Sequence, residues 1–353
     1  MPTTTIKVHH PRLIRRVNQL YHELTQSSFE REHLKRFGVQ RAFWQEVASL
    51  VLGDPKGTTG ELKADGEEER GRLVVDLACG TGFVTRTLGS WLRSNDRLIA
   101  SDLGEAPLKT TGRYWSSERH ATDTAVDLTR VASDTQMLPL ADASVDLVTM
   151  NAALHHIPKP SAALAEIDRV LKPGGFFALG FEPNHRHFSS PFMTCLSGGI
   201  SRLHWYASPR QNRRRFCQLM KRSCPGSRTS DAATRASLSD FDDESVAVMN
   251  ERLIQDGFIG EPLSESALLN LVDPHSRGDR DGIGFEPLAM LRESLPGYDV
   301  WLLRSSDYLG ESARYWPRLR QTVDGVMRAV APRQGSLFSW LISKPKTGSR
   351  EAT

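Results

Sequence analysis

Val74-Val75-Asp76-Leu77-Ala78-Cys79-Gly80-Thr81-Gly82-Phe83-Val84-Thr85 is the stretch that decides the fold. Leu73 to Leu77 is a short apolar run interrupted by one acid, which reads as a buried parallel strand ending at a carboxylate. Cys79-Gly80-Thr81-Gly82 then makes a tight turn, whose glycines permit unusual backbone angles and the close approach of a ligand. Val84, Leu88, Trp91 and Leu92 fall on one helical face, so a helix is expected after the turn. A strand, a glycine-rich turn and a helix N-terminus together make an anion site. The same turn also reads as a bare strand-to-helix connection, and the GxG pattern alone does not choose between the two.

Two further acids favour a ligand. Leu98-Ile99-Ala100-Ser101 reads as a second strand ended by Asp102, where a nucleotide fold holds ribose hydroxyls. Asp134 follows a third strand, Leu128 to Ala132. Three carboxylates at three strand ends converge on the carboxyl edge of one sheet, where α/β proteins bind ligands. Singly, each reads as a helix cap or a solvated loop residue; in this order they make a site. A nicotinamide-binding fold shares the first turn and Asp102. It calls for a third glycine where Thr85 stands, however, and gives no reason for Asp76.

The series continues with Ser133-Asp134-Thr135-Gln136-Met137-Leu138-Pro139-Leu140, then Asp146-Leu147-Val148-Thr149-Met150-Asn151 through Leu154-His155-His156-Ile157, then Leu171-Lys172-Pro173-Gly174-Gly175. Together these motifs resemble a class I S-adenosylmethionine-dependent methyltransferase of small-molecule type, with a methyltransferase-11-like domain. The resemblance is dense over residues 73–183 and thin elsewhere. It implies S-adenosyl-L-methionine as cofactor. It further implies that Ala78, Cys79, Gly80 and Gly82 carry the cofactor's carboxylate end and that Asp76 and the Asn151 carbonyl face its ammonium. Asp102 would take the ribose, Leu103 would pack on adenine, and Asp134 with Thr135 would meet the adenine amine.

Methyl transfer is an in-line displacement at an activated carbon. Alignment of the nucleophile is therefore the main demand, worth up to about 7–11 kcal/mol. An oxygen nucleophile also gains about 10²–10⁴-fold from a base. By position the candidates are His155, His156, Glu182 and His185, with His187 beside them. Leu-His-His recurs in the resembled family across different substrates, so a structural role for His155 and His156 stands beside the chemical one. No metal ligands are assigned, because the histidines lack a fixed ligand spacing.

The 353 residues, 39% of them hydrophobic, allow one large domain or one domain with an insert. A net charge of +3 is too mild to argue for nucleic acid by itself. Cys79, Cys195, Cys217 and Cys224 show no paired spacing and suit a reducing compartment. Met1 to His10 has no apolar leader core, and no run reaches membrane-spanning length, so the expectation is a cytoplasmic protein without a membrane span.

The expected fold is α/β: a doubly wound, Rossmann-like seven-stranded sheet with an N-terminal helical cap and a helical or irregular insert after strand five. Residues 1–72 form the cap and a linker, from two helices, Leu13 to Tyr21 and Ser28 to Leu52. Tyr21 and Phe29 are its candidates for cofactor contact, against plain core packing. Residues 73–183 form the cofactor core, with a helix capped by Ser161 and strand five over Phe176 to Phe181. Residues 184–283 form an insert read as a substrate lid. Residues 284–345 complete the sheet, and 346–353 are a tail. Between Pro183 and Ser230 there are nine Lys or Arg and no Asp or Glu, followed by the acidic Ser239 to Glu244. The basic run reads as a face neutralised by the acids or as an anion-recognition surface. A small-molecule acceptor leads. The alternatives are RNA or protein methylation through the basic run and a non-catalytic S-adenosylmethionine-binding protein. The strand-four end Asn151-Ala152-Ala153-Leu154 lacks the Pro-Pro-aromatic pattern of amino-group nucleic-acid methylases.

Overall fold

The computed structural model describes residues 11–53, 70–119, 126–193, 195–196, 243–275, 283–309 and 317–346, and the side chains of 26–39 and 317–320 lie outside the description. So do Phe29, the basic residues from Arg202 to Arg228 and the acidic Asp240 and Asp242.

Seven strands form one mixed sheet in the order β3-β2-β1-β4-β5-β7-β6. They are β1 (Leu73–Leu77), β2 (Arg97–Asp102), β3 (Leu128–Ala132), β4 (Val145–Asn151), β5 (Leu171–Pro183), β6 (Asp299–Ser306) and β7 (Leu337–Ser343). The first five run parallel, and β7 returns antiparallel between β5 and β6. The order steps outward from β1 on both sides, so the carboxyl ends of β1 and β4 meet where the connections diverge. That switch point is where an open α/β sheet makes a crevice.

Helices cover both faces. One face packs on α4 (Pro160–Val170) through Ala163, Leu164, Ile167 and Val170, and on the helix Pro287–Ser294 through Leu291. The other packs on α2 (Phe83–Gly89) and on Phe43, Trp44, Val47 and Ala48 of α1 (Pro11–Leu52). A third apolar cluster joins Leu13, Ile14, Val17, Leu20 and Tyr21 of α1 to Met249, Leu253, Leu268, Leu269, Leu271 and Val272. The latter residues belong to the helices Asp243–Gln255 and Glu265–Val272, both inside the insert. One long helix therefore runs from the sheet to the insert, and cap and insert share a core. Tyr21, expected as a cofactor contact, is buried in it.

Four local expectations are corrected. The cap's two helices are one continuous helix of 42 residues, because neither Pro nor Gly stands between Tyr21 and Gly38 to break it. The helix after the glycine turn ends at Gly89, before Trp91 and Leu92. The Trp115 ring sits where a Cβ on Gly89 would lie, and the Ser90 hydroxyl donates back to the Thr87 carbonyl. The N-cap of α4 is Lys159 with Pro160 in the first turn, so Ser161 lies inside the helix. Finally, β5 begins at Leu171, because Lys172 to Gly175 bulges between the pairs Val145–Leu171 and Leu147–Phe176 while staying bonded to Lys344.

The shared core gives a test. Leu268 is fully buried in it. Leu268→Ala should cost about 2–5 kcal/mol locally. Hydrogen exchange should then show residues 11–25 and 243–272 losing protection together while β1, β4 and β5 keep theirs.

Candidate functional site

The glycine turn sits at the carboxyl end of β1. Ala78, Gly80 and Gly82 all take positive φ, at 48°, 54° and 80°. The Cys79 amide donates to the Ser101 carbonyl at 2.9 Å and so carries the β1–β2 ladder one residue into the loop. A Cβ on Gly82 would stand 2.6 Å from Thr111 Cγ2, so that glycine is needed for packing. A Cβ on Gly80 would meet nothing within 4 Å. Gly80 thus keeps its backbone bare toward open space, as a ligand-facing turn requires.

Asp76 is 1% exposed. Its carboxylate accepts from the Thr85 amide at 2.9 Å, the Thr85 hydroxyl at 2.5 Å and the Thr149 hydroxyl at 2.9 Å. It therefore ties β1, its neighbour β4 and α2 into one joint. Burial raises its pKa to about 6, outweighing the three hydrogen bonds that favour the charge. Asp102 accepts from the Gly80 and Gly104 amides, both at 2.9 Å, and burial raises its pKa as well. Beside the turn, the Cys79 thiol is pushed up by the same burial and by the Asp102 and Asp76 charges.

Asp134, at the end of β3, accepts from the Gln136 amide at 2.9 Å and pairs with Arg15 of α1 at 2.8 Å. Thr135 beside it is buried, whereas Leu103 is 36% exposed, as a residue waiting for a flat apolar partner would be. The Asn151 side chain bonds to α1 on both atoms: its oxygen accepts from Trp44 Nε1 at 3.0 Å, and its nitrogen donates to Gln40 at 3.3 Å. Ala152 and Phe181 take positive φ beside it, at 49° and 59°, so the ends of β4 and β5 are strained where they meet.

A second cluster lies past the end of β4. Glu182 is fully buried at the end of β5. One of its oxygens accepts from the Ala153 and Leu154 amides at 2.7 and 2.9 Å. The other takes the His155 amide at 3.1 Å and His155 Nδ1 at 2.8 Å. Burial works against its charge, but His155 and the amides outweigh it and hold the carboxyl below its ordinary range. With both oxygens engaged, Glu182 orients the short 3-10 turn Leu154–His156 and is not free to take a proton from another group. His156 Nδ1 lies 2.7 Å from Asp273 and 2.8 Å from the Val272 carbonyl. Burial opposes its proton, but Asp273 prevails and the pKa is raised. His22 of α1 meets the His156 ring edge-on at 5.4 Å, and His275 Nε2 is 3.1 Å from the Ile157 carbonyl.

The expected acid–base candidates thus divide. His155, His156 and Glu182 come together. His185 instead turns its Nδ1 to the Ile283 carbonyl at 3.2 Å, and the buried His187 turns its own to the Gln334 carbonyl at 3.0 Å. Neither joins the cluster. Asp273, His22 and His275 were not expected there, nor was Arg15 beside Asp134. Their sequence neighbourhoods carry no motif, and only the packing of α1 and the insert helix brings them in.

Comparison with known proteins places this geometry in a class. The family model described as "Methyltransferase domain" matches residues 75–179, the segment from β1 into β5. This segment is a class I S-adenosylmethionine-dependent methyltransferase domain, and S-adenosylmethionine is the cofactor its kind uses. The chain is 33% identical over 132 residues to an uncharacterized chloroplastic methyltransferase of Arabidopsis thaliana, covering 36% of this chain and 37% of the relative. It is 32% identical to the malonyl-[acyl-carrier protein] O-methyltransferase of Hahella chejuensis, covering 42% and 51%. It is 37% identical to the demethylmenaquinone methyltransferase of Thermobifida fusca, covering 30% and 41%. The chain thus spans about a third to a half of the length of the curated relatives it matches. No helix among the described residues is long and apolar enough to cross a membrane.

Asp76 gives a signed prediction. Its folded-state pKa, about 6, lies above the ordinary 3.8, so the unfolded chain releases this proton more readily. Its contribution to stability is therefore greatest below pH 3.8 and falls as pH rises through about 6, by about 3 kcal/mol in all. Urea unfolding of wild type and Asp76→Asn across pH 4–7 should show the wild type losing ground to the variant by about that much as pH rises.

Proposed function

We propose that this chain transfers a methyl group to an oxygen or carbon of a small-molecule acceptor. The observation that carries the reading is that Asp76, Asp102 and Asp134 stand at three neighbouring strand ends of a methyltransferase domain, with Asp102 bonded to the bare turn at Gly80. These residues fit the cofactor. Gly80 leaves room for its amino-acid end, Asp102 suits the two ribose hydroxyls, Asp134 suits the adenine amine, and the half-exposed Leu103 suits the adenine face. When bound, S-adenosylmethionine supplies the activated methyl group.

The chain's own task is then alignment and exclusion of water. His155 is the group read as meeting the acceptor. The Glu182 carboxylate can only accept, so His155 Nδ1 carries the hydrogen between them and Nε2 keeps the lone pair. A fixed lone pair there serves an acceptor hydroxyl. Glu182 is a positioning residue in this reading. The small-molecule class is supported by the names of the Hahella and Thermobifida relatives, a malonyl-[acyl-carrier protein] O-methyltransferase and a demethylmenaquinone methyltransferase. A cytoplasmic setting belongs to the same proposal.

RNA or protein methylation through the basic residues 202–228, and cofactor binding without catalysis, are outcomes of one experiment. Purified chain, labelled methyl donor and cell extract should put label into small metabolites. Label in RNA or protein, or none, would overturn the acceptor class or the activity. The cofactor site has its own test. Asp102→Ala should remove charge-assisted hydrogen bonds to the ribose worth about 1.5–3 kcal/mol each. Calorimetry with S-adenosylhomocysteine should show that weakening, and equal affinity in the two proteins would sink the assignment.

A further inference from the structure

We infer that His155, His156 and Asp273 form a binding site for a divalent cation of the zinc kind, past the end of β4. The inference rests on the methyltransferase reading above and changes one part of it: in the loaded site the His155 Nε2 lone pair goes to the cation, which then holds the acceptor oxygen in place of His155.

One ligand atom from each of the three residues lies within 4.8 Å of the others. His155 and His156 are consecutive in the turn after β4, with ring centroids 4.0 Å apart and planes inclined at 41°. Asp273 caps the end of the insert helix Glu265–Val272, which brings its carboxylate to 2.7 Å from His156 Nδ1 and 3.8 Å from His155 Nε2. The surroundings favour a metal over a plain ion pair. Metal-binding histidines usually anchor one ring N–H on a carboxylate or carbonyl, so that the other nitrogen presents its lone pair. The His155 ring has that anchor, since its Nδ1 is held by Glu182 and its Nε2 lies toward Asp273. His156 brings one nitrogen, Nδ1, to both Asp273 and the Val272 carbonyl, so a cation at Asp273 would take the place of the proton on that nitrogen.

Two nitrogens and one carboxylate suit zinc better than magnesium or calcium, which prefer oxygen throughout. Three protein ligands leave a position open for another molecule, as in reactive rather than structural zinc sites. A bound divalent cation would leave both rings neutral, and its charge would be balanced by the carboxylates of Glu182 and Asp273. His275 is not a fourth ligand, since its Nε2 faces the Ile157 carbonyl. The open position would take an oxygen of the acceptor.

The test uses the full chain stripped with a chelator and titrated with zinc against a chromophoric competitor. S-adenosylhomocysteine calorimetry runs on the same samples. The expected result is about one tightly held equivalent in wild type. His156→Ala and Asp273→Asn should each weaken zinc at least about tenfold, and the positioning variant Glu182→Gln about 10–100-fold. S-adenosylhomocysteine affinity should stay near wild type in Asp273→Asn, which shows that this variant is folded. Cobalt in place of zinc should give visible bands that the same variants lose. No stoichiometric zinc in wild type, or equal zinc affinity in wild type and Asp273→Asn, overturns the site and leaves His156–Asp273 as a structural ion pair. Failure of wild type to bind S-adenosylhomocysteine would instead sink the methyltransferase reading, whatever the zinc result.

Discussion

A carboxylate buried without partners is among the most costly groups a fold can contain, and this fold puts Asp76 near the end of β1, beside the central strand β4. The fold's solution is local, and burial still outweighs it. The pairing of β1 with β4 sets Thr149 directly opposite Asp76, and the glycine turn brings Thr85 back over it. Neither threonine reaches Asp76 unless strand register and turn are both right. The acid therefore specifies the joint between β1, β4 and α2, and the positive φ angles at Ala78, Gly80 and Gly82 are the backbone's response. The ligand-facing edge of the sheet inherits its shape from that joint.

Glu182 solves the same problem one strand over, with a different result. Asp76 is held by two threonines. Glu182 is held by three backbone amides and an imidazole, which keeps it charged and turns that charge into an orienting device for His155. The two acids flank β4 from β1 and β5, so cofactor side and acceptor side are separately braced on either side of one strand. The remaining strain, at Ala152 and Phe181, falls between them.

The long helix α1 joins these halves to the helices Asp243–Gln255 and Glu265–Val272 of the insert. Its C-terminal part packs on the sheet and reaches Asn151 through Trp44 and Gln40. Its N-terminal part packs on the insert helices, and Arg15 reaches Asp134 at the far side of the cofactor edge. Asn18 adds a polar pin: its amide donates to the Leu271 carbonyl at 3.3 Å and the His156 carbonyl at 3.5 Å. The insert helices, the turn after β4 and Asp134 therefore all contact the same helix.

The sequence by itself determined the sheet core, because local pattern suffices there. Apolar runs of strand length, glycines at the turn and acids at the strand ends are all written within a few residues of one another. Strand positions, the acids at the strand ends and the pairing of Leu-His-His with the end of β4 were legible for that reason. Misreadings were confined to boundaries, where packing decides: Trp115 on Gly89 ends one helix, and the bonds of the Lys172 to Gly175 bulge to Lys344 extend β5. Only the tertiary structure decided which histidines stand together. His185 and His187 are nearer to Glu182 in the chain than His155 is, yet their rings turn to other carbonyls, while Asp273 arrives from the far end of the insert. The physical reason is that an ionic or metal-like cluster is made by side chains from separate elements. Its geometry depends on how α1 and the insert bury their shared apolar face, and no local spacing records that.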